Sequence, residues 1–481
     1  MNPMREPVIH VARVVLEAAT PLSVTTGQPD SVLDTALVTD ANGLPALPGT
    51  SLAGVLRHLW QAEYGEDSAK AVFGYQEGDE GTPSRVSVSW GALLDSRGQP
   101  AEGLLLGADR KRLREDDVLR AAAELVEQPV ARERVSLSER GAAADTGKFD
   151  RAILPAGHRF ALELTLAGGT DEEWQQLLGL LGHPGLRAGG ATRAGLGRLQ
   201  RVTCHAGTFD RRDREQAAAF LALGRGLADT EGLSEHQPAA QTGDAWLTAT
   251  LRLEPEGPWR IGQGEPDPEA NEEKPADLLP VTEGRIRWDG GTGRVEERSL
   301  LFPASGIKGA LAHRFVFHAH CLAGRWAEDE TATEAPEKTA LFGSVKQDTK
   351  GKTESGWAGC LTLDDAWVEA EPERLRVMHN AIDRFTGGVR DRVLFEEEDL
   401  LGGEVRLRLT LDRRRLEQYA AELDMDTDTI RQALSRALSD LCEGRLALGS
   451  RTTIGNGIFR GRLEGPLGHW LDGEQRTMEA A

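Results

Sequence analysis

Asp34 and Asp277 are the acids best placed by sequence to do chemistry, because they stand at matching points of an internal repeat. Each lies in a polar loop behind an alternating strand, and a second acid follows six residues on, Asp40 or Glu283. A loop carboxylate present in both copies could hold Mg²⁺ or another divalent metal, or orient a nucleophile. A turn-forming aspartate is the competing reading.

Three further features recur in the same order. Pro48-Gly49-Thr50-Ser51-Leu52-Ala53-Gly54 answers Pro303-Ala304-Ser305-Gly306-Ile307-Lys308-Gly309. Both read as helix entries, with Thr50/Ser51 or Ser305/Gly306 expected as caps, and a helix N-terminus offers free N–H groups to a phosphate. Gly54 and Gly309, one turn in, would let a strand or a ligand approach, although close helix packing explains them as well. Val72-Phe73-Gly74 matches Leu341-Phe342-Gly343. Near the end of each half, Gly189–Arg198 matches Leu448–Gly457, glycine-rich runs that bring Arg187, Arg193, Arg198 and Arg451 among backbone amides able to face an anion. Neither run is a Walker or Rossmann loop. Four matched blocks, offset by roughly 250 residues, indicate a tandem duplication.

Two long segments complete the candidates. Arg132 and Arg134 begin one that runs on to Phe149, and the other, Arg376–Arg392, carries Asn380, Arg384 and Arg390. Each mixes arginine with hydroxyl or amide groups and apolar tips. Such a hairpin could grip a phosphate backbone and wedge a side chain between bases, or be only an exposed, salt-bridged hairpin.

Other chemistries find little support. His313, His318 and His320 lack the spacing of a helical zinc site, and neither a nucleophile elbow nor a Cys–His pairing stands out. The four cysteines are scattered singly, as expected of reduced, mostly buried thiols in a cytoplasmic protein. No apolar run is long enough for a membrane span, and the N-terminus does not read as a signal peptide. The net charge of −21 argues against a protein that coats nucleic acid with its whole surface, while leaving room for one basic groove. Its acids gather in stretches such as Gly264–Lys274 and Asp424–Asp428, which read as solvated loops.

The elements that must position these residues also repeat. Strands are expected at Val8–Leu16, Arg85–Trp90 and Arg159–Leu166, and again at Ala245–Leu253, Gly359–Leu363 and Val405–Leu411. Helices follow the two prolines, and others are expected at Asp171–Leu181 and Thr429–Leu441. The expected fold class is α+β, with two tandem ferredoxin-like, RRM-like palms, each bearing a hairpin and loop insertions. The expected division is 1–228 for the first module, 229–243 for a linker, 244–468 for the second module and 469–481 for a tail.

Together these blocks resemble the RAMP superfamily of CRISPR systems, and more narrowly the backbone subunits of type III effector complexes. The signature that carries the resemblance runs from Asp40 through Gly43, Pro45, Pro48, Thr50, Ser51 and Gly54 to Arg57, and Asn380–Gly388 is similar to the start of the family's thumb hairpin. The resemblance implies a guide RNA (crRNA) lying across both palms, with thumbs that kink the guide–target duplex and displace a target nucleotide. It further implies that Asp34 and Asp277 each cut target RNA with a divalent metal, the 2′-hydroxyl being the nucleophile. The guide contacts it implies are Thr50, Ser51, Arg57, Ser305, Lys308 and the arginine-bearing loops. Ala53 stands where the family commonly has lysine, and the second module carries a long acidic loop ahead of Asp277. Two modules in one chain resemble the fused subunits of type III-D-like complexes, so the other type III subunits are expected partners. A catalytically silent scaffold and, more distantly, a guide-processing ribonuclease using His58 or His313 are the alternatives.

Overall fold

The computed structural model describes residues 6–27, 36–137, 143–237, 244–262, 264–266, 274–326, 335–344, 347–349, 352–354 and 356–473. The chain divides into two compact units, 1–192 with 196–242 and 284–297, and 243–283 with 193–195 and 298–481. It is a mixed α+β protein in which the paired named strands run antiparallel.

In the first unit the elements that matter are β1 (Val8–Ala18), α1 (Gly49–Tyr64), β2 (Val86–Val88), β3 (Arg134–Leu137), β4 (Ala143–Phe149), β5 (Arg159–Ala167), α2 (Asp171–Gly179) and β6 (Leu199–Asp210). The sheet order is β6-β1-β5-β2, with Val11 opposite Thr165 and Gly207. Alternating aliphatic residues make β1 a strand, and Val11, Val14 and Leu16 are buried. Helix α1 packs through Leu52, Leu56, Leu59 and Trp60, at i, i+4, i+7 and i+8. The Trp60 ring meets Phe73 at 5.9 Å. Ser234–Glu235 adds a short strand beside β6.

The second unit repeats this order with β7 (Trp246–Pro255), α3 (Ala304–Ala323), β8 (Leu361–Leu363), β9 (Glu373–Ile382), β10 (Val389–Leu401), β11 (Glu404–Asp412), α4 (Thr427–Cys442) and β12 (Phe459–Glu464). Its central order is β12-β7-β11-β8. Trp259, Phe302 and Phe459 form the heart of the core, their ring centroids 5.6 to 5.8 Å apart. Helix Pro466–Leu471 closes the described chain, so the expected tail overlaps an ordered turn of helix.

One local expectation is corrected. Pro48 and Pro303, not the hydroxyl residues, occupy the N-cap positions, and neither helix has a side-chain cap from its own entry. The proline ring fixes φ near −60° and leaves an extended ψ, so each helix starts at the residue after the proline, earlier than expected, and Thr50, Ser51 and Ser305 fall inside the first turn. Asp365 does the capping of α3 from another element, accepting the Ala304 N–H at 2.8 Å. By contrast α2 has the capping box its sequence signals, between Thr170 and Glu173.

Candidate nucleic-acid interface

The glycine-rich runs are one backbone structure built twice. In the first, Gly197 N–H donates to Pro21 C=O, Ala188 N–H to Gly197 C=O and Gly190 N–H to Ser23 C=O, each at 2.8 Å. In the second, Gly457 N–H donates to Pro258 C=O (2.9 Å), Leu448 N–H to Gly457 C=O (2.8 Å) and Ser450 N–H to Arg260 C=O (2.8 Å). The dihedrals agree as well, with φ of 82° and 92° at Gly189 and Gly449, and 102° and 99° at Gly195 and Gly455. A Cβ on Gly449 would lie 2.3 Å from the Arg260 carbonyl, so the glycine is needed for close backbone approach. These amides are thereby committed to the chain itself and not to an anion.

The helix entries behave differently. Gly49 is a packing glycine, since a Cβ there would meet the Val88 carbonyl at 2.1 Å. Gly54 and Gly309 face open space, with nothing within 4 Å of an added Cβ. Thr50, Ser51, Gly54 and His58 are exposed along α1, and Gly306, Gly309 and His313 along α3, with Arg57 and Ser305 half-buried. Each helix therefore presents a surface of small side chains beside its N-terminus. Lys308 points its ammonium at the carbonyls of Arg193 (2.8 Å) and Phe342 (3.2 Å), residues of its own compact unit.

The second hairpin is β9–β10. Its tip is organised by Asp383, whose carboxylate accepts the N–H groups of Phe385 and Thr386, each at 2.9 Å. Those backbone bonds, with the Thr386 hydroxyl, hold the Asp383 carboxyl below the usual aspartate value. Phe385 is 88% exposed, and Met378, Ile382, Val389 and Leu394 are exposed with it. Asn380 pairs with Leu394 and Ile382 with Val389, so these side chains share one face. Arg384 lies over the Phe385 ring at 5.5 Å, and Asn380, Arg384 and Arg390 are all exposed. In the first unit Arg134 pairs with Phe149 across β3–β4, Arg132 N–H donates to Arg151 C=O, and Val135 is exposed.

Asp277 sits at the base of the second hairpin, exposed. Its Oδ2 accepts the Glu396 N–H at 2.9 Å, and Oδ1 has no hydrogen bond among the described residues. Asp34 lies outside the described residues. Asp40, by contrast, is a turn builder whose Oδ1 accepts the N–H groups of Asn42 (2.8 Å) and Leu44 (2.9 Å). Glu283 is buried. Among the described residues no three His, Cys, Asp or Glu side chains gather as a metal cage. A lone exposed carboxylate still suits Mg²⁺, which keeps several waters and takes one or two carboxylates with phosphate oxygens.

Sequence reasoning missed a cluster at that hairpin base. Arg451 was expected to face an anion, and its Nε lies 3.0 Å from Glu397 Oε1. Arg260 and His379 join it on the same carboxylate. No spacing rule connects residues 260, 379, 397 and 451, and only the four consecutive acids Glu396–Asp399 beside an apolar run hinted at buried charge. Arg187 is buried and donates to Leu196 C=O at 3.3 Å, and Arg193 lies in a short 3₁₀ turn, half-buried.

No helix among the described residues is long and apolar enough to cross a membrane. No curated protein matches the sequence. The sequence model of the RAMP superfamily matches residues 15–200 and again 252–460. Members of that superfamily are typically CRISPR-associated, bind CRISPR RNA and act in multi-subunit complexes. With most of both halves matched in the order of the repeat, the chain belongs to the RAMP superfamily.

Proposed function

We propose that this protein is a guide-RNA-binding backbone subunit of a type III CRISPR effector, two ferredoxin-like palms fused in one chain as in III-D-like complexes. The strand order, fourth-first-third-second in each unit, supports the palm assignment. The observation that carries the reading is the second hairpin, where a pre-organised tip with a bare Phe385 rises from a base holding an exposed Asp277. A stacked base gains about 1–3 kcal/mol on such a ring. Displacing a nucleotide there bends the target so that its 2′-hydroxyl and the neighbouring phosphate come into line, which is the main demand of this cleavage. The small-residue faces of α1 and α3 leave room for a sugar–phosphate strand beside the helix N-termini.

Asp34 and Asp277 would hold the divalent metal, which when bound neutralises charge building on the phosphate. Asp277 keeps one oxygen on Glu396 N–H, so its carboxylate is fixed in direction while the other oxygen faces out. That same bond favours a second reading, a silent scaffold in which Asp277 only fastens its loop. Alanine at each acid, in the complex assembled with guide RNA, separates the two. Each variant is expected to lose one of two target cuts and keep assembly. Persistence of both cuts in the double variant would show that the acids are structural.

A further inference from the structure

We propose that Arg451, with Arg260 and His379, is a positioning group for Asp277, acting through the buried carboxylate of Glu397 rather than by touching RNA. The inference rests on the reading of Asp277 as the cutting acid of the second module. Glu397 is 1% exposed. Its Oε2 accepts from Arg260 Nη2 at 3.2 Å, and its Oε1 lies 3.0 Å from Arg451 Nε and beside His379 Nε2. Asp399, also buried, lies 3.5 Å from Arg260 Nε and accepts from Asn456 Nδ2 at 2.9 Å. Burial, and then the charge of Glu397, push the Asp399 carboxyl above its usual value.

The histidine has a defined role here. A guanidinium only donates, so His379 Nδ1 accepts from Arg451 Nη2 at 3.2 Å, while His379 Nε2 stands beside Glu397 Oε1. His379 thus links the arginine to the acid it neutralises.

What Glu397 fixes is the strand that holds Asp277. Residues 277–278 run beside Glu396–Glu398: Glu396 N–H reaches Asp277 Oδ2 at 2.9 Å, Leu278 N–H reaches Glu396 C=O at 3.2 Å, and Glu398 N–H reaches Leu278 C=O at 2.9 Å. The residue clamped by three side chains is flanked by the two that carry Asp277 and its neighbour.

The clamp is not required to build the loop. The first repeat makes the same backbone bonds with Ser23 and Ala191 where the second has Arg260 and Arg451. A buried ion cluster is also a poor source of net stability, because desolvation offsets much of the attraction, whereas it does fix geometry. Ser23 and Ala191 in the first repeat carry no charge, so these arginines are not part of the shared backbone design.

The test uses the full chain assembled with guide RNA and measures single-turnover cutting at both target positions, guide affinity and melting temperature. Arg451→Gln is expected to slow the Asp277 cut by about tenfold to a hundredfold, the effect of a small misplacement. The Asp34 cut and guide affinity should stay within about twofold, giving an internal control. His379→Ala should slow the same cut, and His379→Gln should restore it, since an amide can accept from Arg451 and donate to Glu397. If Arg451→Gln does not fold, the His379 pair decides. Loss of guide affinity with both cuts slowed alike would make Arg451 a phosphate contact and overturn the proposal. An unchanged Asp277 cut in Arg451→Gln and His379→Ala would do the same. Should Asp277→Ala itself spare both cuts, it is the parent reading that fails, and the clamp's purpose with it.

Discussion

Ala191 and Arg451 occupy the same turn of two copies of one loop, at φ of 54° and 56°, and only the second carries a charge. Neither is glycine, so each accepts roughly 1 kcal/mol of left-handed strain. The backbone was duplicated faithfully while the side chains diverged. The shared turn therefore demands a backbone conformation and not a particular side chain.

Gly449→Ala and Gly189→Ala should each destabilise by about 1–3 kcal/mol, from the left-handed φ and the clash with the Arg260 or Ser23 carbonyl. The check is a melting curve on the purified chain. An unchanged melting temperature would mean that the loop relaxes freely.

Gly54→Ala and Gly309→Ala should act in the opposite sense on stability. Both lie in helices with open space at the Cβ, so alanine should stabilise by roughly 0.5–1 kcal/mol. If a strand of RNA lies on these faces, guide affinity falls although the protein melts higher. A rise in both would rule out these surfaces as the RNA seat.

Phe385→Ala should leave the melting temperature unchanged within experimental error, because the ring is 88% exposed. Target binding should weaken by about 1–3 kcal/mol if a base stacks there. Filter binding with guide-loaded complex measures it. No change in target affinity or cut position would remove the wedge.

Acid should lower the stability of the chain over two pH windows with identifiable causes. Burial lowers the His158 imidazole from 6.5 to about 4, and the bond to Pro155 C=O opposes this only in part. A depressed pKa gives stability that is present above 6.5 and lost as pH falls toward 4, here roughly 3 kcal/mol. Asp440 is buried, which alone would raise it, but hydrogen bonds from Arg445, His318 and Arg314 hold it down at about 2. Its contribution, about 2 kcal/mol, is present above 3.8 and lost as pH falls through 2. In His158→Gln the slope of stability between pH 6.5 and 4 should flatten. In Asp440→Asn it should flatten below pH 4 instead. Unaltered slopes in both would assign acid sensitivity to other groups.

The thiols follow the same logic. Burial pushes Cys204 up to about 11 and Cys360 up to about 12, and neither should react with a maleimide in the native state. Cys321 is exposed at the end of α3 and should label first.

Strands, helices and the duplication were legible because period and order are local properties that the chain carries residue by residue. The alternation of Val8–Leu16 and the spacing of Leu52, Leu56 and Leu59 needed no partner to be read. The family match, over 15–200 and 252–460, spans the same repeated blocks. Element ends were less legible: the cap moved to Pro48, and the N–H of Ala304 went to Asp365, a residue that sequence distance hides.

Which glycines matter for the backbone and which face open space was decided only in three dimensions, since Gly49 and Gly54 look alike in sequence and differ by what stands opposite. The same holds for charge. Arg451 stands beside Glu397, and the Asp40 carboxylate closes on the amides of Asn42 and Leu44, and no spacing along the chain shows either partner. Periodicity is written along the chain, whereas the partner of a charge is chosen by packing across it.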